Sequence, residues 1–247
     1  MTTNLDFTDT VALVTGAGRG LGLALARELG RRGARVGLIA RDSAALRAAV
    51  DSLRGEGIVA EAIVGDVGDK RAIHAVAHQA AALLGPVDLL IHNASTLGPT
   101  PLRLLLDTEC EDFERALQVN LLGPFRLSKV IAGAMALRGR GTIVHVSSDA
   151  AVEAYPRWGA YGASKAALDH LSRTWAAELE GTGVRVLAID PGEMDTQMHA
   201  DAIPDADRSS LADPADVARA IAAIVRDPAG APSGARVRAD DWKEGRR

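Results

Sequence analysis

The chain is poor in several things at once. It has one cysteine, Cys110, among 247 residues. That excludes an internal disulfide and any metal site built from several thiolates, and it fits a reducing compartment. No apolar run reaches the roughly 18 residues that a membrane span needs. Net charge is -4 and no basic stripe is present, which argues against nucleic acid as a partner. Met1 to Thr10 is polar and carries Asp6 and Asp9, unlike a secretory signal. Aromatics make up only 3% of the chain, so any that fall close together stand out. These features together lead to the expectation of a cytoplasmic protein that binds neither membrane nor nucleic acid.

What is present suits a globular domain with a sizeable core: 47% hydrophobic and 24% charged residues. No repeat or interdomain linker interrupts the chain, so residues 1–247 read as a single domain. Short apolar runs, Val11 to Val14, Arg35 to Ala40, Ile58 to Val64, Asp88 to Ile91, Thr142 to Ser147 and Val184 to Ile189, alternate with stretches of helical periodicity. A weaker strand, Arg236 to Arg238, precedes a charged tail at about 239–247. Alternation of this kind implies a parallel sheet with right-handed crossovers. Asp69 reads as the cap of the third helix, and Asp213-Pro214 as the start of the last. The stretch from Glu109 to about Leu137 reads as one long helix, bent near Asn120 and Pro124, where a freed backbone carbonyl could hold a water. Asn120 reads equally well as a solvated polar residue.

The densest chemistry lies between Ser148 and Lys165. Tyr161 and Lys165 are four residues apart, so a helix places them on one face. A free phenol has a pKa of about 10, and a nearby ammonium favours the phenolate. Bringing the phenol near neutrality takes roughly 4 kcal/mol. Ser148, at the end of a strand, can bring a hydroxyl to the same place. Together the three make a site that protonates and deprotonates an alcohol or carbonyl oxygen. A tyrosine one turn from a lysine is also an ordinary surface feature, so the context decides.

The first strand runs into Thr15-Gly16-Ala17-Gly18-Arg19-Gly20-Leu21-Gly22 and then a helix, which is the context a phosphate-binding turn requires. The end of the second strand normally lies over the adenosine ribose, and Ala40 and Arg41 fall there. Arg41 with Arg19 would clamp the extra phosphate of NADP. A slip of one residue would put Asp42 in that place and favour NAD. Asp66 either accepts from an adenine amine or caps its own turn. His74 and His78 are one turn apart but have no third ligand, and read as surface residues.

In order and spacing, these pieces resemble the short-chain dehydrogenase/reductase family in its short single-domain branch. They are T-G-A-G-R-G-L-G, Asp66-Val67, Asn93-Ala94, Asn120, Ser148, Tyr161 with Lys165, and Pro191-Gly192. The resemblance implies an α/β fold, a Rossmann-type doubly wound parallel sheet of about seven strands. It implies an NADP(H)-preferring oxidoreductase, a carbonyl reductase or alcohol dehydrogenase, with NAD(H) possible and a non-catalytic NADP-binding sensor as another reading. Tyr161 would be the general acid or base. Ser148 would bond the substrate oxygen, Lys165 would hold the nicotinamide ribose, and Asn120 would anchor a relay water. Gly16, Gly18, Arg19, Gly20, Leu21 and Gly22 would line the cofactor phosphates. Arg41, Asp66, Val67, Asn93, Ala94, Pro191, Gly192 and Thr196 would complete the cofactor site. A homodimer or homotetramer is implied, with Ala166, Ala167, Leu171 and Trp175 as one apolar face, which could equally pack inside the subunit.

Three departures stand out. His92 and Ser95 replace the usual Asn and Gly around Asn93-Ala94, and Gly234 to Trp242 lacks the common ending. Thr96-Leu97-Gly98, Trp158 and Asp195 to Met198 are similar, over a short length, to the sepiapterin reductase branch. Ser95 to Leu102, Asp149 to Trp158 and a loop at about 193–210 should line the substrate pocket. They offer Tyr155, Trp158, Met194, Met198 and His199 to an apolar or aromatic ketone or aldehyde; His199 could tune substrate binding, though the stronger expectation is that it faces solvent. Tyr155 and Trp158 could equally pack the loop itself.

Overall fold

The computed structural model describes residues 7–242. The start of the N-terminal segment and residues 243–247 of the expected charged tail lie outside it. Seven strands form one parallel sheet: β1 Val11–Thr15, β2 Arg35–Ala40, β3 Ala60–Val64, β4 Leu89–His92, β5 Gly141–Val146, β6 Val184–Asp190 and β7 Arg236–Arg238. Their order across the sheet is β3-β2-β1-β4-β5-β6-β7, and every pairing is parallel. The expected doubly wound, single-domain architecture is the one observed. The chain reverses its direction of travel between β1 and β4. In such sheets the crevice at the carboxyl ends of these two strands is where ligands bind.

Residues alternate between the two faces of each strand. Ala12 and Val14 of β1, Val144 and Val146 of β5, and Leu187 and Ile189 of β6 join one core. The helices α1 Gly20–Arg31, α2 Ser43–Gly55 and α8 Pro214–Arg226 cover that core. Leu13, Leu90, Ile143 and Val186 face the other way. There they meet α3 Ile73–Leu84, α5 Gly123–Leu137 and the far end of α6 Gly159–Glu178. Both faces of the sheet are covered, which is why its strands read as nearly unbroken apolar runs. Among the described residues no helix is long and apolar enough to cross a membrane.

Three local expectations are corrected. Asp69 does not cap α3, which begins at Ile73 with Ala72 in the cap position; Asp69 instead accepts from the Arg71 amide in the preceding turn, at 2.9 Å. The single long helix is two, α4 Cys110–Leu117 and α5, joined by a π-helical turn, Gln118–Leu122. The Gly123 amide reaches back five residues to the Gln118 carbonyl, so the extra residue is absorbed without a break. The loop expected at 193–210 contains a helix, α7 Gln197–Ala202, and a 3-10 turn at Arg208–Ser210. Asp213 does cap α8, accepting from the Ala215 amide at 2.8 Å.

One glycine is demanded by a close approach. Gly183 has φ +78, and a Cβ there would lie 2.0 Å from the Gly139 carbonyl oxygen. Gly133, inside α5, has ordinary φ and open space around it. Gly183→Ala is therefore expected to lose about 2 kcal/mol or more, from left-handed strain and the clash. Gly133→Ala should gain about 0.5–1 kcal/mol, because alanine is the better helix former. Urea unfolding midpoints of the two variants check both signs.

Candidate active site

β5 ends at Val146, and the turn that follows carries Ser148. Tyr161 sits in the first turn of α6 and is buried. Lys165, one turn on, is only 2% exposed, so its ammonium needs a partner inside the protein; Nζ donates to the Val146 carbonyl at 2.6 Å. The same ammonium lies 5.5 Å from the centre of the Tyr161 ring. Burial pushes the Tyr161 phenol up to about 12. A hydrogen bond with Ser148 opposes this, Asp149 and Asp190 add to it, and a hydrogen bond with Ser95 opposes it more weakly. Burial also pushes Lys165 down to about 8, against the pull of Asp169 and Asp190. The Tyr161–Lys165 spacing points to a phenol near neutrality; burial, with the charges of Asp149 and Asp190, instead pushes it up.

Ser148 is held on both sides. Its hydroxyl donates to Asp149 Oδ1 at 2.9 Å and accepts from the Ala150 amide at 3.2 Å. The other oxygen of Asp149 accepts from the Tyr155 hydroxyl at 2.9 Å. Asn120 is not a solvated residue: it is 1% exposed. Its Oδ1 accepts from the Thr96 amide at 2.8 Å and the Ser95 hydroxyl at 3.2 Å. Its Nδ2 donates to the Thr96 carbonyl and to Ser164 Oγ, each at 2.9 Å. Ser164 in turn donates to the Tyr161 carbonyl at 2.6 Å. The π-helical turn therefore ties the loop after β4 to α6 through one side chain.

The glycine turn between β1 and α1 is fitted to its neighbours. Gly16 has φ +66, and a Cβ there would lie 2.8 Å from Ala94 Cα. A Cβ on Gly22 would lie 2.5 Å from Asn93 Nδ2, which donates to the carbonyls of Thr15 and Gly16. Thr15 Oγ1 accepts from the amides of Asn93 and Ala94. α1 starts with no side-chain cap and no acid in its first turn, so its amides and positive end remain available to an anion. Arg19 stands in the cap position, and Thr196, the cap of α7, has its methyl 3.7 Å from a Cβ placed on Gly20. Gly18 and Leu21 belong to the same turn, and Pro191 and Gly192 follow β6 at the same edge of the sheet. This donor set fits the pyrophosphate of a dinucleotide.

Asp42 Oδ1 accepts from the amides of Ala44 and Ala45 at 2.9 and 3.1 Å, so it belongs to the start of α2. Arg41 is exposed just past β2. Asp66 caps its turn, accepting from the Gly68 amide at 2.8 Å, and is also paired with Arg115 at 2.7 Å. Burial pushes the Asp66 carboxyl up, but these two partners hold it below its ordinary value. Val67 beside it is buried.

Beside Tyr161 a cavity is lined by Leu97, Pro99, Leu102, Arg103 and Arg157. Of the expected segment from Ser95 to Leu102, Leu97, Gly98, Pro99 and Leu102 line this cavity. Trp158 packs edge-on against Tyr161, with ring centres 5.6 Å apart, and Tyr155 against Trp158 at 6.5 Å. Met194 is elsewhere: it bridges to Ala212 and packs on the core. Met198 lies half-buried on α7. His199, expected to face solvent, has a side chain 13% exposed and tucked 3.8 Å from Glu193. His74 and His78 are exposed on α3.

A family model described as short chain dehydrogenase matches residues 10–207. The chain belongs to that family. A galactitol 2-dehydrogenase (L-tagatose-forming) of Cereibacter sphaeroides is 40% identical over 189 residues, covering 76% of this chain and 72% of that one. A glycine betaine reductase of Emericella nidulans is 34% identical over 88% of this chain, which spans only 18% of that protein's length. Among solved structures, an actinorhodin polyketide ketoreductase variant with NADPH aligns with TM-score 0.86 at 29% identity, covering 96% of this chain and 97% of that one. A xylitol dehydrogenase with NAD+ aligns with TM-score 0.83 at 28% identity, covering 94% and 98%. Members of the short-chain dehydrogenase family are oxidoreductases that use a nicotinamide cofactor.

In this short-chain dehydrogenase, the two departures around Asn93 acquire partners. Ser95 joins Asn120 and Tyr161, a contact that its difference from glycine signals only in hindsight. His92 pairs across the sheet with His145, their rings stacked at 5.0 Å with both residues buried. His92 Nε2 bonds Ser128 on α5, and His145 Nδ1 bonds Ser172 on α6, each at 2.8 Å. Ser172 gives its proton to the Leu168 carbonyl at 2.7 Å, which leaves His145 Nδ1 as the donor. Burial pushes His145 down to about 3, helped by the Lys165 charge, and burial with the facing His145 puts His92 well below its ordinary value.

Both imidazoles are neutral in the folded protein and gain protons on unfolding at mildly acid pH. Their contribution to stability is complete above the unfolded value of 6.5 and is lost as pH falls toward the folded values. Below pH 6, each should cost up to about 1.4 kcal/mol per pH unit. Urea unfolding at pH 7 and pH 5 should show the loss, and His145→Gln should flatten the slope. An unchanged slope in His145→Gln would remove this assignment.

Proposed function

We propose that the protein is an NADP(H)-dependent carbonyl reductase, with Tyr161 as the proton donor to a ketone or aldehyde oxygen. The observation that carries this is the buried Tyr161 phenol. It lies within hydrogen-bond reach of the Ser148 and Ser95 hydroxyls, with the Lys165 ammonium close by. A phenol pushed up to about 12 is fully protonated at neutral pH, the state a general acid needs. A reduced nicotinamide, bound along the glycine turn, supplies hydride to the carbonyl carbon.

The chain's own residues handle the oxygen. As negative charge grows there, Tyr161 gives up its proton and Ser148 holds the oxygen in place, so both act most strongly in the transition state. The single proton of the Ser148 hydroxyl goes to Asp149 Oδ1, so it must turn from Asp149 to the substrate oxygen to stabilise the charge there. Lys165 counters the charge left on the phenolate and would hold the nicotinamide ribose. Asn120, with its four bonds, keeps the Thr96 loop and α6 at fixed separation. Trp158 and the cavity wall of Leu97, Pro99 and Leu102 suit an apolar or aromatic substituent on the carbonyl. Met194 has no part in that wall.

The preference for NADP(H) rests on Arg41 with Arg19, and on Asp42 being occupied as a helix cap. A second copy of the chain would dock on α5 and α6, where Phe125 and a partly buried Trp175 lie 6.2 Å apart and α6 also carries Ala166, Ala167 and Leu171.

Two measurements test the reading. NADPH consumption against a panel of ketones, aldehydes and diketones should fall about 1,000-fold or more in Tyr161→Phe, while the NADPH Kd changes by less than about threefold. Turnover that survives the substitution would sink the role of Tyr161. Arg41→Ala should weaken NADPH about tenfold or more and leave NADH within about twofold, since only the extra phosphate loses a charge-assisted bond. Equal weakening of both cofactors would return the choice to NAD(H).

A further inference from the structure

Arg236 lies on β7, inside the stretch that departs from the usual family ending. Its guanidinium makes three bonds to three different elements. Nε donates to Asp169 Oδ2 on α6 at 2.8 Å. Nη2 donates to Asp190 Oδ2, at the end of β6, at 3.0 Å, and to the Ser148 carbonyl at 2.8 Å. The two carboxylate side chains are 5% and 3% exposed, so this is an interior cluster.

Its neighbour is Lys165. Asp169 is one turn beyond Lys165 on the same helix face, and Asp169 and Asp190 both act on its ammonium. The other groups facing Lys165 are Tyr161 on α6, and neutral His145 and the Val146 carbonyl on β5. Two buried anions are therefore set against two cations. Without the guanidinium, both carboxylates would have Lys165 as their nearest counter-ion, and the ammonium would be drawn away from the phenol. An uncompensated buried charge is also among the most disruptive defects a protein can carry.

We propose that Arg236 is a positioning residue: by holding Asp169, Asp190 and the Ser148 carbonyl on one planar fork, it keeps the two carboxylates from capturing Lys165 and locks the Ser148 turn to α6. The proposal takes the roles of Ser148, Tyr161 and Lys165 from the proposed function. A lysine could supply the charge but not three bonds in fixed directions.

The test reads Lys165 directly and needs no substrate. In protein carrying 13C-labelled lysine, the side-chain resonance that disappears in Lys165→Met is followed against pH. Relative to the wild type, the Lys165 midpoint should rise by roughly one unit in Arg236→Met and fall by a similar amount in Asp169→Asn. In the double variant it should return most of the way to the wild-type value, because one charge of each sign has been removed. A purely structural role predicts no such return. A midpoint that stays put in folded Arg236→Met, or a double variant no closer to wild type than Arg236→Met, would overturn the proposal. Should Arg236→Met fail to fold, Asp169→Asn is compared with the double variant, and the double variant must titrate higher. A protein that shows these shifts yet turns over no carbonyl would sink the reductase reading and leave the charge balance standing.

Discussion

A buried ammonium governs the carboxyl edge of this sheet. Lys165 is enclosed by β5, β6 and its own helix, where an unpaired charge is very costly. The Val146 carbonyl takes one of its protons, two carboxylates lie in range, and the nearest imidazole is neutral. Each of these conditions comes from a different element. The strand ends, the turn at Ser148 and the first turns of α6 must therefore all be in place before the cation is tolerable. That shared requirement ties the geometry of the site to the completion of the fold.

The parallel register delivers these groups together. β4 and β5 pair His92 with His145, and β5 and β6 run alongside so that Val146 faces Ile189. All strands end at one edge, and the chemistry-bearing residues follow those ends: Thr15, Arg41, Asn93, Ser148 and Asp190. The helices behind the sheet supply the hydroxyls that its buried polar groups need, Ser128 from α5 and Ser172 from α6. A central sheet with buried histidines is costly unless those partners are present.

Much of this was legible in the sequence because it is written in short-range spacing. The short apolar strands, the strand–glycine–helix turn, and the intervals from Ser148 to Tyr161 to Lys165 need no tertiary knowledge. What escaped depends on partners far apart in the chain. Arg236 and Asp169 are separated by 67 residues, and nothing local announces that they meet. Asn120 looked like either a bend or a solvated residue because its four partners come from two distant segments. Asp69 was misread as a cap because Asp caps turns and helices by the same bond, and the helix started later. Met194 seemed free to line a pocket because its packing on the core is not visible in sequence. The protonated state of Tyr161 depends on burial, which spacing alone cannot measure.

The four bonds of Asn120 divide the rim of the site from its floor. Up to Thr96 the chain is riveted at both its amide and its carbonyl. Gly98, two residues on, has φ +85 and nothing within 4 Å of where a side chain would begin. Its own amide is held by Thr96 Oγ1 at 3.2 Å. The cavity wall formed by Pro99 and Leu102 thus begins outside the part of the chain that Asn120 fixes.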